Sequence, residues 1–169
     1  MGTDEHLLEQ LSKLRGSRTV IVGIGNVLKG DDGAGSLVCQ QLSGKVCAEI
    51  IDAGTVPENY IQPIVEKAPQ NLLVIDAMDF GASAGTINIF KPEQLSSVVT
   101  STHTLSPRLF AQVVCQNIKD RDPAKREPDV YFVGIQPAQT QLGELVSSQV
   151  SKAIQQLSHV ITSIFPLEE

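Results

Sequence analysis

Short apolar runs alternate with amphipathic stretches along this sequence, and this alternation restricts the fold more than any other feature. The runs "RTVIVGIG" (18–25), "VCAEIIDAG" (46–54) and "NLLVIDAMD" (71–79) predict buried strands. Helical spacing follows the first two runs, at 34–42 and 57–67. Strands that alternate with helices predict an α/β fold, a three-layer αβα sandwich around a central, mostly parallel, five-stranded sheet.

The rest of the chain extends this pattern. We expect an edge or hairpin strand at 85–90, a helix at 106–118, a charged loop at 119–129, a strand at 130–137 and a closing helix at 142–165. Residues 4–15 predict a short amphipathic helix outside the core pattern, ended by Gly16. With 169 residues and 41% hydrophobic content, we expect a single domain, 1–169, with residues 1–16 as a helical extension.

Charge and cysteine content narrow the class of protein. A formal net charge of −6 argues against binding nucleic acid or an anionic membrane, which requires clustered Lys and Arg. The charged N-terminal stretch does not resemble a secretory signal, and apolar runs are too short to span a membrane, so we expect a cytoplasmic protein. The three cysteines, Cys39, Cys47 and Cys115, are widely spaced, which predicts packing thiols rather than disulfides or a thiolate metal site.

The stretch "GIGNVLKGDDGAG" (23–35) follows the first strand, where a glycine-rich loop commonly holds a phosphate. The dinucleotide fingerprint would need glycine at Leu28, and the P-loop would need Lys and Ser or Thr at Asp31 and Asp32. Two carboxylates would repel an anion, by about 4 kcal/mol for each pair of charges near 4 Å. The loop therefore favours a cation or an acid–base role, with Gly30, Gly33 and Gly35 allowing close approach of a partner's backbone.

Acidic residues follow three of the predicted strands. Asp31 and Asp32 follow the first, Asp52 lies at the end of the second, and Asp76 and Asp79 end the third. Parallel strands deliver their carboxyl ends to one edge of a sheet, so these carboxylates can converge there. The alternative for any single one is that it caps a helix or turn.

Of the three histidines, only His103, in "VVTSTHTLSP", lies outside the predicted terminal helices, in a loop of small hydroxyl residues before a helix. Together with Asp32 and Asp76 it would complete an oxygen–nitrogen cation site suited to nickel, zinc, manganese or iron. The alternative is an exposed loop histidine without a function.

Five motifs occur in the order and at the approximate spacing seen in one family: "GIGNVLKGDDGAG", "DAGTVPEN", "VIDAMDFG", "STHTLSP" and "FVGIQP". On these motifs the chain resembles the [NiFe]-hydrogenase maturation endopeptidases over residues 18–160. It looks most like the branch that processes the large subunit of formate-hydrogenlyase-type hydrogenases. In that family the first strand begins almost at the N-terminus, so the helix at 4–15 is a departure, which we interpret as a stabilising cap. The alternatives are that it covers a sheet face or contacts the substrate.

The resemblance implies a cytoplasmic, aspartate-type endopeptidase with a five-stranded α/β fold. It would remove a C-terminal extension from the precursor of a [NiFe]-hydrogenase large subunit after nickel insertion. The matched cation-binding residues are Asp32, Asp76 and His103, and Asp52 matches another acid of the family's cleft. The nickel would be supplied by or shared with the substrate, and other divalent cations could bind the isolated protein. The oligomeric state stays open, with a monomer as the simplest expectation.

The resemblance leaves the catalytic base open between Asp52 and Asp31. A cation at Asp32 and Asp76 would polarise the scissile carbonyl or lower the pKa of an attacking water. Cys39 and Cys115 lie inside predicted helices and do not fit an activated thiol nucleophile.

Two alternative functions remain open for the protein. One is a self-contained metallopeptidase with its own zinc or manganese, and the other is a non-catalytic nucleotide-binding or metallochaperone-type module.

Overall fold

The structure is a computed structural model, and it describes residues 2–95 and 105–168. The strands are β1 (Thr19–Ile24), β2 (Glu49–Gly54), β3 (Asn71–Ala77), β4 (Ile87–Phe90) and β5 (Asp129–Ile135). The helices are α1 (Thr3–Ser12), α2 (Ala34–Leu42), α3 (Ile61–Lys67), α4 (Pro107–Arg121) and α5 (Ser148–Ile164). Short 3₁₀ turns cover Gly30–Gly33, Pro57–Tyr60 and Pro92–Leu95.

The sheet has the strand order β2-β1-β3-β5-β4. All neighbouring pairs are parallel except β4 with β5, which is antiparallel. The five-stranded, mostly parallel α/β fold expected from the sequence is confirmed. Because β1, β2, β3 and β5 are parallel, the loops that follow them all lie at the same edge, here called the carboxyl edge.

Alternate residues of the central strands supply two separate apolar cores. Ile21 of β1 and Leu73 of β3 belong to the core shared with α1, α2 and α5. Val20 and Leu72, one position earlier on the same strands, belong to the core shared with α3 and α4. β1 and β3 are buried along their whole length, so both sheet faces are covered, as parallel strands require.

The N-terminal helix belongs to the first of these cores. Leu7, Leu11 and Leu14 are each 1% exposed, and α1 packs against α5 and β4. The expectation that this helix lies outside the core pattern is therefore wrong. Leu7 and Leu11 share one face of α1 and Leu14 follows in the next turn of chain, and this face is buried against α5 and β4.

Several helix boundaries differ from the sequence-based expectation. α1 ends at Ser12 rather than at 15, and α3 begins at Ile61 rather than at 57, because a 3₁₀ turn precedes it. α5 begins at Ser148 rather than at 142, because the side chain of Ser147 caps it by accepting the N–H of Val150 at 3.3 Å. α4 continues to Arg121, so only part of the charged stretch at 119–129 is a loop. In the described part of the chain, the helices are too short or too polar to cross a bilayer.

Candidate active site

The carboxyl edge of the sheet carries the acids that the sequence singles out. Asp31 and Asp32 lie in the 3₁₀ turn Gly30–Gly33 after β1, Asp52 lies in β2 and Asp76 lies in β3. β1 pairs with both β2 and β3, and the turn after β1 contacts β3, so all four residues belong to neighbouring elements at this edge. His103, the third expected cation ligand, lies outside the described residues.

Asp32 and Asp76 are buried at this edge, with 2% and 0% of their surface exposed. The turn that carries Asp32 contacts β3, the strand of Asp76. Burying a carboxylate is costly unless hydrogen bonds or a cation compensate for it, so buried acids at a sheet edge mark a candidate functional site. Among residues 2–95 and 105–168, no group of three His, Cys, Asp or Glu side chains is placed to hold a metal ion.

Asp52 lies in a different environment. Between Gly23 and Ile24 the β1–β2 register shifts, so that Gly23 pairs with Asp52 and Ile24 with Gly54. The Asp52 carboxylate accepts hydrogen bonds from Gln40 Nε2 and from the Gly54 N–H, both at 3.2 Å. The side chain is partly exposed and lines an open cleft of about 250 Å³. As far as the described residues show, its remaining acceptor positions are therefore available to water.

Asp31 is fully buried and its carboxylate is fully used. Oδ2 accepts the N–H of Ala138 at 2.8 Å, the N–H of Gln139 at 3.1 Å and the hydroxyl of Ser147 at 2.8 Å. Oδ1 accepts the N–H of Ser147 at 2.7 Å. A carboxylate offers about four acceptor positions. Asp31 thus fastens the segment 136–147 to the glycine-rich loop, and it does not fit the role of general base considered from the sequence.

The glycine-rich loop is closed by contacts within the chain itself. Gly30 has φ +55°, and a Cβ there would lie 2.8 Å from the carbonyl oxygen of Gln139. A Cβ on Gly35 would lie 2.2 Å from the carbonyl oxygen of Ile75, and one on Gly33 would lie 2.7 Å from Val27 Cα. The expectation that these glycines admit a partner's backbone is therefore wrong, because the chain's own backbone occupies that space.

The N–H groups that a phosphate loop would present are also used internally. Gly25 donates to the carbonyl of Gly54 at 2.9 Å and Asn26 to that of Asp32 at 3.2 Å. Asp31 donates to the carbonyl of Gln139 at 2.8 Å and Asp32 to that of Lys29 at 3.1 Å. This arrangement argues against the nucleotide-binding alternative, since phosphate binding at such a loop depends on unpaired backbone donors.

Gln136, which the sequence analysis did not single out, organises the loop after β3. Its side-chain oxygen accepts the N–H groups of Phe80 and Ala82, at 2.9 and 3.2 Å. Its amide nitrogen donates to Asp79 Oδ1 at 3.1 Å. This hydrogen bond, followed by one from the Gly81 N–H, lowers the pKa of Asp79. The sequence shows Gln136 only as a polar residue directly after the apolar run "VYFVGI", and its burial and its partners come from the structure.

The cysteines do not supply a nucleophile to this site. Burial, with the charge of Asp52 second, raises the pKa of Cys39 to about 12. Burial also raises the pKa of Cys115 to about 11. Both are therefore protonated thiols near neutral pH and do not act as thiolate nucleophiles. Cys47 is exposed, so its expected role as a packing thiol is wrong.

Comparison with known proteins finds one family. Residues 38–164 match the family model described as hydrogenase maturation protease. The chain is 32% identical over 121 residues to the hydrogenase 3 maturation protease of Escherichia coli (strain K12), which covers 70% of this chain and 72% of that protein.

Solved structures give the same result. The [NiFe] hydrogenase maturation protease HycI from Thermococcus kodakarensis superposes with a TM-score of 0.77 at 32% identity, over 92% of this chain and 97% of that one. The endopeptidase HycI from Escherichia coli gives a TM-score of 0.72 at 28% identity, over 84% and 87%.

Proposed function

This chain belongs to the hydrogenase maturation protease family, and from that premise we propose that it cleaves a C-terminal extension from the precursor of a [NiFe]-hydrogenase large subunit after nickel insertion. As a member of this family the chain is an enzyme, a peptide-bond hydrolase. The cytoplasmic location and the monomeric state implied by the resemblance belong to the same proposal.

The observation that carries the proposal is the burial of Asp76 in β3 and of Asp32 in the 3₁₀ turn that contacts β3. Two carboxylates in this position offer oxygen ligands, which hard cations prefer. A nitrogen ligand from a histidine such as His103 would make the site suitable for nickel. We propose that nickel already held by the precursor gains these side chains as ligands, so that cleavage depends on metal loading. Nickel bound there would polarise the scissile carbonyl or acidify a bound water.

We propose Asp52 as the residue that accepts a proton from the attacking water. It is partly exposed, it lines the cleft, and among residues 2–95 and 105–168 its carboxylate accepts two side-chain or backbone hydrogen bonds, which leaves about two acceptor positions for water. Asp31, the other candidate, has all its positions filled by Ala138, Gln139 and Ser147. In this proposal Asp32 and Asp76 position the metal, and Asp52 is the general base that accepts the proton from water.

The test compares nickel-loaded and nickel-free precursor incubated with the wild-type protein and with Asp32→Asn, Asp76→Asn and Asp52→Asn. Intact mass reports removal of the extension. We expect cleavage of the loaded precursor alone, and a loss of about 100-fold or more in kcat/KM for each variant. Asp129→Asn, at the start of β5 and hence at the opposite sheet edge, is the matched control and should cleave normally.

Two outcomes would contradict parts of this proposal. Equal cleavage of both precursor forms would show that cleavage does not depend on nickel. It would favour the self-contained metallopeptidase. Elemental analysis that finds zinc or manganese retained in the purified protein would then support this alternative. An unchanged nickel affinity in His103→Ala, measured by calorimetry, would remove His103 from the site.

A further inference from the structure

Exposed apolar side chains are concentrated at the carboxyl edge. In the parts of the chain that the structure describes, eight large apolar side chains are exposed, and five of them lie on the loops after β1, β2 and β5. These five residues, here called the apolar rim, are Val27, Leu28, Val56, Leu142 and Leu145. Single exposed apolar residues are ordinary on a protein surface, whereas several at one edge mark a binding surface.

The most exposed members of the rim lie on two loops that are bonded to each other. Leu28, Leu142 and Leu145 are 65%, 73% and 83% exposed. The N–H of Gly143 donates to the carbonyl of Leu28 at 2.9 Å, and Gln139 Nε2 donates to the carbonyl of Leu145 at 2.5 Å. Neighbouring backbone positions therefore present these leucines at the same place on the surface.

The backbone beneath the rim is fixed. Asp31 holds Ala138, Gln139 and Ser147 through its carboxylate. Between them, the Gln141 N–H donates to the Glu144 carboxylate at 2.8 Å, and the Glu144 N–H donates to the Gln141 carbonyl at 3.1 Å. An apolar surface on ordered loops loses little entropy on binding, which favours recognition of a partner.

The rim is continuous with the cleft beside Asp52, because Val27 and Leu28 line that cleft as well. The cleft has a volume of about 250 Å³. Sites that enclose a whole small molecule usually measure about 300–1,000 Å³. A polypeptide whose scissile bond enters this cleft must therefore continue outside it, and the rim is the adjoining surface.

We propose that the apolar rim binds aliphatic side chains of the precursor polypeptide beside the scissile bond, an inference that rests on the proposed function. The rim contributes to substrate affinity and not to the chemical step. Nickel would select the maturation state of the precursor, and the rim would select its polypeptide sequence.

The first experiment measures steady-state cleavage of nickel-loaded precursor by Leu142→Ser/Leu145→Ser. We expect KM to rise about tenfold with kcat changed less than about twofold, because removing ground-state contacts alters binding alone. The matched control is Leu8→Ser/Leu167→Ser, which alters two exposed leucines, one on α1 and one near the C-terminus, and should keep both constants. Unfolding midpoints of both double variants should match the wild type, since the substituted side chains are exposed.

The second experiment measures binding of the same precursor by surface plasmon resonance. The Leu142→Ser/Leu145→Ser change is introduced into an Asp32→Asn background and should raise Kd about tenfold. If the wild-type protein does not cleave but this change raises Kd, the proposed function fails and the rim stands. If the wild-type protein cleaves but KM and Kd are unchanged by the rim substitutions, the rim inference fails alone. Self-association abolished by these substitutions, with precursor binding unchanged, would assign the rim to a second copy of the chain and overturn the proposal.

Discussion

The loops that follow β1 and β3 lie beside each other at the carboxyl edge, and both are fastened to the segment that follows β5. The loop after β1 is held by the charged side chain of Asp31, which accepts four hydrogen bonds. The loop after β3 is held by the neutral side chain of Gln136, which makes three. The two side chains also belong to different sides of their contacts. Asp31 lies in the loop after β1 and bonds to the segment after β5, whereas Gln136 lies in the segment after β5 and bonds to the loop after β3.

The difference shows how a protein can fix one loop tightly and a neighbouring loop more weakly. Hydrogen bonds to a charged group contribute about 1.5–3 kcal/mol each, against about 0.5–1.5 kcal/mol for neutral pairs. Asp31 is fully buried, whereas Asp79, the charged partner of Gln136, is exposed. We therefore expect the loop after β1, which carries Asp32 and part of the apolar rim, to be the more rigid of the two.

The largest expected effect is that of Asp31→Asn on stability. The amide would turn an N–H group toward backbone donors, so we expect the free energy of unfolding to fall by about 3–5 kcal/mol in urea titrations. A second readout is the reaction of buried Cys39 with a thiol reagent, measured in a Cys47→Ser/Cys115→Ser background so that Cys39 is the remaining cysteine. This reaction should become faster, because the glycine-rich loop that precedes α2 opens more often. Asp129→Asn, whose exposed ion pair with Arg126 contributes little, is the control. A loss below about 1 kcal/mol would show that the Asp31 carboxylate does not fasten the segment.

A smaller effect is expected from Gln136→Leu. The N–H groups of Phe80 and Ala82 would lose their acceptor, at a cost of about 1–3 kcal/mol in the free energy of unfolding. Because the loop after β1 is fastened separately, the reaction rate of Cys39 in the same background should stay near the unsubstituted value. Equal acceleration of Cys39 labelling by both substitutions would contradict the separate fastening of the two loops.

The smallest effect concerns the pKa of Asp79, which Gln136 and the Gly81 N–H lower. A lowered folded-state pKa favours the folded state above the pKa of the unfolded chain, near 3.9, and this contribution is lost as pH falls through the folded-state value. Gln136→Leu should move the pKa of Asp79 back toward its ordinary range in a side-chain NMR titration. An unchanged titration would show that the Gln136 amide does not bond to Asp79 in solution.

The sequence predicted the layers of this fold better than the details of its site. The apolar runs and helical spacing identified the sheet and its flanking helices, because burial of a strand or a helix face leaves a periodic pattern. The burial of α1 was missed, since a helix that packs on another helix looks the same in sequence as one that covers a surface. The start of α5 was missed because its cap, Ser147, is fixed by Asp31, a residue 116 positions away.

Within the site, spacing identified Asp31 and Asp32 but did not separate their roles. The difference depends on the segment 136–147, which the sequence analysis assigned partly to a helix, and no local pattern connects Asp31 to Ala138 or Ser147. Gln136 stands out in the sequence only as a polar residue after an apolar run, and its partners Phe80, Ala82 and Asp79 lie 54–57 positions earlier, so no local pattern connects them. Such contacts depend on the loops meeting at the carboxyl edge, which follows from strand order and not from neighbouring residues.

The close packing of Gly23 and Gly35 limits which sequence changes can accompany each other. A Cβ on Gly23 would lie 2.2 Å from the carbonyl oxygen of Gly35, and one on Gly35 would lie 2.2 Å from that of Ile75. The obstacle in both cases is main chain, which every amino acid shares. A second substitution that shortens a neighbouring side chain therefore cannot make room for a Cβ. We expect glycine to be required at both positions, while the surrounding residues of the helix and strands can be substituted.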